Sequence, residues 1–320
     1  MGSRCSCIGN PASIEGTDLI EVIYLEDKSK AEEIITGQET SLDCQGFIFP
    51  DIPSNNDRVR LIEAKYGLYK SDLSEDFPTT KSDDLPKLYP PEHLQSNCVY
   101  IGQKDNNGQK SGKGVFIWSD GSKYSGSWKL DKANGKGRLI HADGDVYEGE
   151  WVNDKAHGIG KYIHFNGAVY EGEWINDQQE GTGIEYWPDG ACYKGHYQAG
   201  QKHGIGEFKW ADGSVYTGEF TDNRIEGKGI YLWKDERKYE GMWKDNKMHG
   251  KGFFEWPDGR TYIGEYADDK KEGYGEFKWP NGKIYKGMWK GGKQHGWGSY
   301  CDPSGVLREG EWYYGKRVDN

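Results

Sequence analysis

The sequence has no long hydrophobic stretch, and only 34% of its 320 residues are hydrophobic. No segment approaches the roughly 18 consecutive apolar residues of a membrane-spanning helix. The N-terminus MGSRCSCIGN lacks the apolar core of a secretory signal, so we expect a cytosolic chain. Its six cysteines show no C-x-x-C pair, so we expect reduced thiols and no zinc site.

Catalytic motifs are also missing. The sequence contains no phosphate-binding G-x-x-x-x-G-K-[ST] loop, no G-x-S-x-G nucleophile motif and no kinase signature set. Histidine and glutamate alternate at one place of a sequence repeat, but strand spacing would put successive members about 10 Å apart. A metal–ligand bond is only about 2 Å long, so this column predicts no metal site. We therefore predict a non-enzymatic protein without a cofactor.

Glycine and tryptophan are distributed unevenly. Only 6 of the 47 glycines lie in residues 1–98, and all 13 tryptophans lie at Trp118 or beyond. The net charge is −9 over residues 1–98 and −2 over the remainder. A near-neutral region offers no bulk attraction to nucleic acid, so we predict no nucleic-acid partner. Both distributions place a domain boundary near residue 98.

Beyond that boundary, the sequence repeats every 23 residues. Each unit is close to Y-x-G-x-W-x(6)-G-x-G-x(6)-G. The units begin at Tyr124, Tyr147, Tyr170, Tyr193, Tyr216, Tyr239, Tyr262 and Tyr285, with Arg308 at the next place. A fixed period of this length indicates a repeat array, whose function resides on an extended surface.

Each unit reads as two short strands. In Tyr170–Trp174, the Tyr, Gly and Trp share one face and the two glutamates take the other. Asn-Gly and Asp-Gly pairs such as Asn166-Gly167 predict tight two-residue turns with positive φ, and the other connection, such as Ile175–Glu180, is predicted to span about six residues. The predicted fold is all-β: an elongated, single-layer antiparallel β-hairpin array with a loop-rich N-terminal extension.

The repeated glycines are predicted to let large aromatic rings lie flat on the neighbouring strand. The representative packing residues are Tyr147, Gly149, Trp151, Tyr170, Gly172, Trp174, Tyr239, Gly241 and Trp243.

The pattern Y-x-G-x-W…G-x-G…DG resembles the MORN repeat (membrane occupation and recognition nexus). Tyr147–Trp151, His157–Gly160 and Asn166-Gly167 carry the resemblance, which covers about residues 98–315. The departures include Tyr197, Phe220 and Tyr266 in place of Trp. The resemblance implies a non-catalytic binding and tethering module of the kind found in membrane tethers, ciliary spokes and cortical scaffolds.

The N-terminus predicts lipidation. Gly2 and Ser6 match the M-G-x-x-x-[ST] pattern of N-myristoylation, and Cys5 and Cys7 are candidate palmitoylation sites. One myristoyl chain binds a membrane only weakly, so a second acyl group is needed for stable anchoring. The alternative is an N-terminus with incidental thiols. We divide the chain into an anchor (1–9), a partly irregular extension or cap (10–98), about eight full repeats with partial ends (99–317) and a tail (318–320).

One repeat position is mostly basic. Six residues at this place are predicted to line one edge of the array: Lys132, Lys155, Arg224, Lys247, Lys270 and Lys293. One hypothesis is that this edge docks an acidic surface, such as phosphoinositide headgroups or a protein partner. The other is a solvated column of loop residues, with the turn aspartates of the opposite edge chosen for conformation.

Together these features predict a scaffold at the cytoplasmic face of the plasma membrane or cell cortex. It would be anchored by acyl chains in membrane lipid and bind cortical or cytoskeletal proteins. The alternatives are a ciliary or axonemal structural component, or a regulatory partner of a lipid kinase or small GTPase. The strand at Glu309–Trp312 is also predicted to leave an edge for homodimer formation, with capping by Tyr313–Asn320 as the alternative.

Overall fold

The computed structural model describes residues 47–48, 52–71, 87–94 and 97–318. Within this part of the chain, 21 antiparallel strands form one open sheet. Every strand between the first and the last of this sheet pairs with the strands that precede and follow it in sequence, so successive hairpins add to the sheet without a crossover. This confirms the predicted hairpin array.

The strands of the sheet are β3 (Lys87–His93), β4 (Val99–Lys104), β5 (Lys110–Ile117), β6 (Lys123–Lys129), β7 (Lys132–Ile140), β8 (Val146–Val152), β9 (Lys155–Ile163), β10 (Val169–Ile175), β11 (Gln178–Tyr186), β12 (Cys192–Gln198), β13 (Gln201–Lys209), β14 (Val215–Thr221), β15 (Arg224–Leu232), β16 (Lys238–Lys244), β17 (Lys247–Glu255), β18 (Thr261–Ala267), β19 (Lys270–Lys278), β20 (Ile284–Lys290), β21 (Lys293–Cys301), β22 (Leu307–Tyr313) and β23 (Lys316–Val318). The preceding segment holds β1 (Phe47–Ile48), α1 (Asp57–Tyr66) and β2 (Lys70–Ser71).

The tyrosine that begins each repeat lies flat over a pair of glycines. Tyr170 covers Gly172 on its own strand and Gly183, which faces Gly172 across the hairpin. A Cβ added to Gly172 would lie 2.5 Å from the Tyr170 hydroxyl oxygen and 2.6 Å from Gly183 Cα. That hydroxyl donates to the Glu173 carbonyl oxygen at 3.0 Å. The glycines are therefore required by the close approach of the ring, and the tyrosine is 1% exposed.

The tryptophan four residues later joins one hairpin to the next. Trp174 meets Tyr170 edge to face at 5.2 Å and Tyr147 of the preceding repeat at the same distance. Its indole N–H donates to the Gly160 carbonyl oxygen at 3.1 Å. The sequence predicted that tryptophan would lie over glycine. The structure places Trp174 opposite Gly158 on the neighbouring strand, and the indole N–H adds the hydrogen bond to a glycine carbonyl.

The two connections differ from the prediction. The supposed six-residue connection is a tight turn, in which Asn176 and Asp177 have φ of 50° and 69°. The Asn-Gly connection is instead the five-residue loop 164–168, in which Gly167 has φ of 94° and its N–H donates to the His164 carbonyl. The assignment was wrong because asparagine and aspartate also tolerate the left-handed region, so an Asn-Asp pair can form the tight turn.

The sheet has two faces and two lateral edges. We call the face of Tyr170 and Trp174 the aromatic face and the opposite face, which includes Val146, the back face. The edge formed by two-residue turns such as Asn176-Asp177 is the turn edge, and the edge formed by loops such as 164–168 is the loop edge.

Part of the N-terminal extension packs on the back face. Val59 and Ile62 of α1 form a buried cluster with Ile140 and Val146, and Ile163 packs against it. Asn56 caps the helix by accepting from the Arg58 and Val59 backbone N–H groups. The sequence showed no motif here, because the helix is only 10 residues long.

The same segment binds backbone groups of the first loops. The Ser54 hydroxyl donates to the Gly121 carbonyl at 2.6 Å, and the Asn56 amide donates to the Ala142 carbonyl at 3.2 Å. Lys123 is 3% exposed and donates to the Ile52 carbonyl at 2.7 Å. The described residues 52–71 of the extension thus pack at the first repeats.

The C-terminal end of the sheet is β23, beyond the Glu309–Trp312 strand. Trp312 faces Arg317 across this last hairpin, and all three residues of β23 are exposed. Pairing by residues 316–318 matches the predicted capping by Tyr313–Asn320, although residues 319–320 lie outside the described part. Short and basic edge strands disfavour pairing with another chain. Homodimer formation stays a prediction.

We predict that Gly172→Val destabilises the array by about 3 kcal/mol, because the new side chain would displace the Tyr170 ring. Glu171→Val, on the other face, removes only a partly exposed ion pair with Lys161 and should cost less than about 1 kcal/mol. Thermal unfolding of the two variants checks this. Equal shifts in melting temperature would contradict the packing scheme.

Candidate functional site

A continuous row of aromatic rings runs along the aromatic face beside the loop edge. Successive ring centroids are 4.0–6.3 Å apart. We call this set the aromatic row: Trp187, Phe208, Trp210, Tyr231, Trp233, Phe254, Trp256, Phe277 and Trp279. The row spans five repeats and gives the face a long apolar surface.

Four of the five repeats contribute one ring from the second strand and one from the loop that follows, whereas the first contributes only Trp187. Phe208 belongs to β13 and faces Tyr216 across the hairpin, whereas Trp210 starts the loop and bonds Ser214 through its backbone. Trp210 and Trp233 are half-buried, so part of each indole remains accessible. The sequence does contain a signal for this row. Two aromatic residues, separated by one residue, recur every 23 residues just before the Asp-Gly or equivalent pair. Only the structure shows that these rings touch.

A second column on this face faces the fifth-position aromatics across each hairpin. Its members are Ala133, Ala156, Gln179, Lys202, Ile225, Met248, Lys271, Gln294 and Arg317. We call it the variable column. Its chemically different side chains occupy equivalent positions beside the aromatic rings of this face.

Lys202 shows how an ammonium is held in these surroundings. Its Nζ lies 4.9 Å from the centroid of Trp187, 5.1 Å from that of Tyr193 and 5.5 Å from that of Tyr197. It also donates to Glu185 Oε2 at 2.6 Å. The aromatic faces attract the cation, and the carboxylate neutralises its charge.

Lys271 has the rings without the carboxylate. Its Nζ lies 5.3–5.5 Å from the centroids of Trp256, Tyr262 and Trp289. The side chain is 4% exposed, and it makes no ion pair among the residues that the structure describes. Burial, with a smaller effect of the nearby Arg260 charge, lowers the pKa of Lys271 to about 7. Burial therefore disfavours the charged form of this amine.

The six predicted basic residues lie at the turn edge, where each begins a strand and is exposed. Arg224 pairs with Asp245 at 2.6 Å and Lys247 with Asp268 at 3.5 Å. Seven acids occupy the adjoining turns: Asp131, Asp154, Asp177, Asp222, Asp245, Asp268 and Asp269. Most of the predicted bases therefore stand beside turn acids, which is consistent with the solvated-column interpretation. Binding of lipid or protein by the edge stays a prediction.

The acids of the loop edge stabilise the loop conformation. Asp189, for example, accepts the Ala191 N–H at 2.9 Å, and Asp212 accepts the Ser214 N–H at the same distance. Asp143, Asp235 and Asp258 each accept the backbone N–H of the residue two places later in the same way. Local conformation thus accounts for this acidic column.

The candidate lipidation residues Gly2, Cys5 and Cys7 lie outside the described residues. In the described part, Cys192 and Cys301 are free thiols, and no cluster of three or more His, Cys, Asp or Glu side chains is arranged to hold a metal ion. None of the helices described there is long and apolar enough to cross a membrane.

The repeated hairpins, the glycine-backed tyrosines and the linking tryptophans define a β-hairpin repeat protein. The MORN repeat family model matches nine consecutive segments: residues 100–123, 124–146, 147–169, 170–192, 193–215, 216–236, 239–259, 262–284 and 285–306. The chain belongs to the MORN-repeat family, as the sequence resemblance predicted.

Solved structures show only distant similarity. The TCP10 domain of Danio rerio CPAP, in complex with a peptide of Danio rerio STIL, is 12% identical, with 72% of this chain and 97% of that chain covered and a TM-score of 0.41. The SAS-4 (dCPAP) TCP domain of Drosophila melanogaster, in complex with a proline-rich motif of Ana2, is 16% identical, with 58% and 100% covered and a TM-score of 0.33. No curated protein matches the chain.

We predict that Lys271→Met raises the free energy of unfolding at pH 7 by at least about 1 kcal/mol, since one pKa unit corresponds to about 1.4 kcal/mol. Met248 already occupies the equivalent place, 3% exposed. In the wild type, between pH 7 and the unfolded pKa of 10.5, the unfolded chain binds more protons at Lys271, so stability rises with pH. The variant should lose this contribution to the slope.

Denaturant unfolding between pH 7 and 9 measures both effects. Lys202→Met is the matched control and should lower stability, because it leaves the partly buried Glu185 without its cation. An unchanged pH slope in Lys271→Met would contradict the assignment.

Proposed function

We propose that this protein is a membrane-held scaffold: its acylated N-terminus fixes it to the cytoplasmic face of a membrane, and its MORN array binds protein partners at the cell cortex or cytoskeleton. The observation that carries the binding role is the aromatic row. Five repeats contribute to it, and its tryptophans Trp210, Trp233 and Trp279 are only half-buried. Accessible aromatic rings are enriched where proteins bind one another.

The placement of the extension supports this division of roles. Residues 52–71 pack on the back face at the first repeats, through Val59 and Ile62. No described segment outside the repeats covers the aromatic row. A partner that binds the aromatic face would therefore meet a preformed surface. The scaffold itself would lose little conformational freedom on binding.

Membrane attachment is supported by the sequence Met1–Cys7, where Gly2 stands beside two cysteines. Two acyl chains are the physical requirement for stable anchoring.

We predict that Gly2→Ala and Cys5→Ser/Cys7→Ser each release the protein from membranes. Myristoyl attachment requires Gly2, and a single remaining acyl group binds too weakly for stable attachment. Fluorescence imaging and membrane fractionation measure the change. Retention of both variants on membranes would show that acylation is not the anchor, and concentration at the axoneme would favour the ciliary alternative.

We further predict that Trp210→Leu/Trp233→Leu removes specific neighbours in proximity labelling while membrane localisation persists. The two indoles form the accessible middle of the aromatic row. Leu232→Ser is the control, because this exposed residue neighbours Trp233 but lies on the back face. Thermal unfolding verifies that the variants fold. An unchanged set of neighbours in the double variant would contradict binding by this row, and labelling dominated by a lipid kinase or small GTPase would favour the regulatory alternative.

A further inference from the structure

One place in the variable column is open. At Ala133 the small side chain leaves a cavity of about 310 Å³ on the aromatic face. Aromatic walls come from Trp118, Tyr124, Trp128 and Trp151. We call this cavity the Ala133 box.

The rings of the Ala133 box are the repeat equivalents of the rings that hold the chain's own lysines. Ala133 faces Trp128 across its hairpin, as Lys202 faces Tyr197. Trp118 and Tyr124 precede Ala133 by 15 and 9 residues, as Trp187 and Tyr193 precede Lys202. The protein therefore contains an occupied counterpart of the open site, and the occupant is an alkylammonium side chain.

The charge of the Ala133 box also suits a cation. Asp131 and Asp154 both line the cavity. Asp131 is already 3.7 Å from Lys110 Nζ. Asp154 makes no ion pair in the described part of the chain, and its Oδ1 accepts the Ala133 N–H at 2.7 Å. When the Lys110 ammonium is counted against Asp131, the lining keeps one uncompensated negative charge. That charge is on Asp154, an exposed turn residue at the rim of the cavity.

The contrast with Lys271 shows why this charge matters. Rings surround the Lys271 amine, but the turn place equivalent to Asp154 is Gly292, and burial disfavours the ammonium form. In the Lys202 counterpart, Glu185 supplies the negative charge. The Ala133 box has both parts of the arrangement that holds a charged amine, namely aromatic faces and a carboxylate.

We propose that the Ala133 box binds a lysine side chain of a protein partner, with the four-carbon stem among the rings and the ammonium directed to Asp154. This inference rests on the proposed scaffold function and names the chemistry by which one repeat recognises its partner. A long aliphatic stem fits because isoleucine, methionine and lysine fill the equivalent place in other repeats.

The test titrates the purified full chain with Nα-acetyl-lysine-N-methylamide, while the indole N–H resonances of Trp128 and Trp151 are followed by NMR. These groups donate to the Gly114 and Gly137 carbonyls and line the box. The matching norleucine amide carries the same stem without the charge. We expect saturable binding of the lysine amide, at least fivefold tighter than that of norleucine amide.

Two variants locate the site. Ala133→Met should abolish the binding, because the side chain fills the box as Met248 fills its counterpart. Asp154→Asn should weaken it at least threefold while keeping the turn, since Asn223 and Asn246 already accept the equivalent backbone N–H groups. Asp177→Asn is the matched control, one repeat away, and should leave the binding unchanged.

Equal binding of both amides, no saturable binding of the lysine amide, or unchanged binding in Ala133→Met would overturn the proposal. Saturable binding of choline without binding of the lysine amide would also overturn it and point to a quaternary ammonium ligand. These measurements use neither membranes nor partners, so their failure is distinct from failure of the scaffold function. Thermal unfolding checks that each variant is folded.

Discussion

The array depends on the contact between a tyrosine ring and two glycines. A single-layer sheet has no second layer on which to bury apolar surface, so it must bury rings against its own backbone. Tyr170 does this over Gly172 and Gly183, and it places its hydroxyl on the Glu173 carbonyl. The edge of the next aromatic ring then packs on the tyrosine, which joins neighbouring hairpins.

The tryptophan adds a directional link to this contact. Its indole N–H donates to a glycine carbonyl of the preceding repeat, as Trp174 does to Gly160. Phe220 cannot form that bond, yet its ring still meets Tyr193 and Tyr216 edge to face at 5.1 and 5.2 Å. Ring packing therefore sustains the register where the hydrogen bond is absent, which explains why the array tolerates substitution at this place.

The repeat pattern was sufficient to predict the hairpins, the shared face of Tyr170 and Trp174, and the family, because a period of 23 residues repeats the same local preferences many times. It was not sufficient to assign the turns, since Asn176-Asp177 and Asn166-Gly167 both permit positive φ and only strand pairing distinguishes them. The aromatic row and the Ala133 box depend on contacts between repeats, so no single unit displays them. The docking of Val59 and Ile62 depends on tertiary contacts with distant strands.

The variable column shows how such an array can acquire specificity without changing its fold. The tyrosine, glycine and tryptophan places determine the backbone, whereas the column residue faces rings whose positions are already set. Glu185 provides a carboxylate for the Lys202 ammonium, whereas none of the described carboxylates pairs with Lys271, whose burial disfavours the charged form. Each repeat can therefore differ in the chemistry of its surface while the spacing between repeats stays constant. The order of column residues and neighbouring turn acids thus determines the chemistry that the aromatic face presents along the sheet.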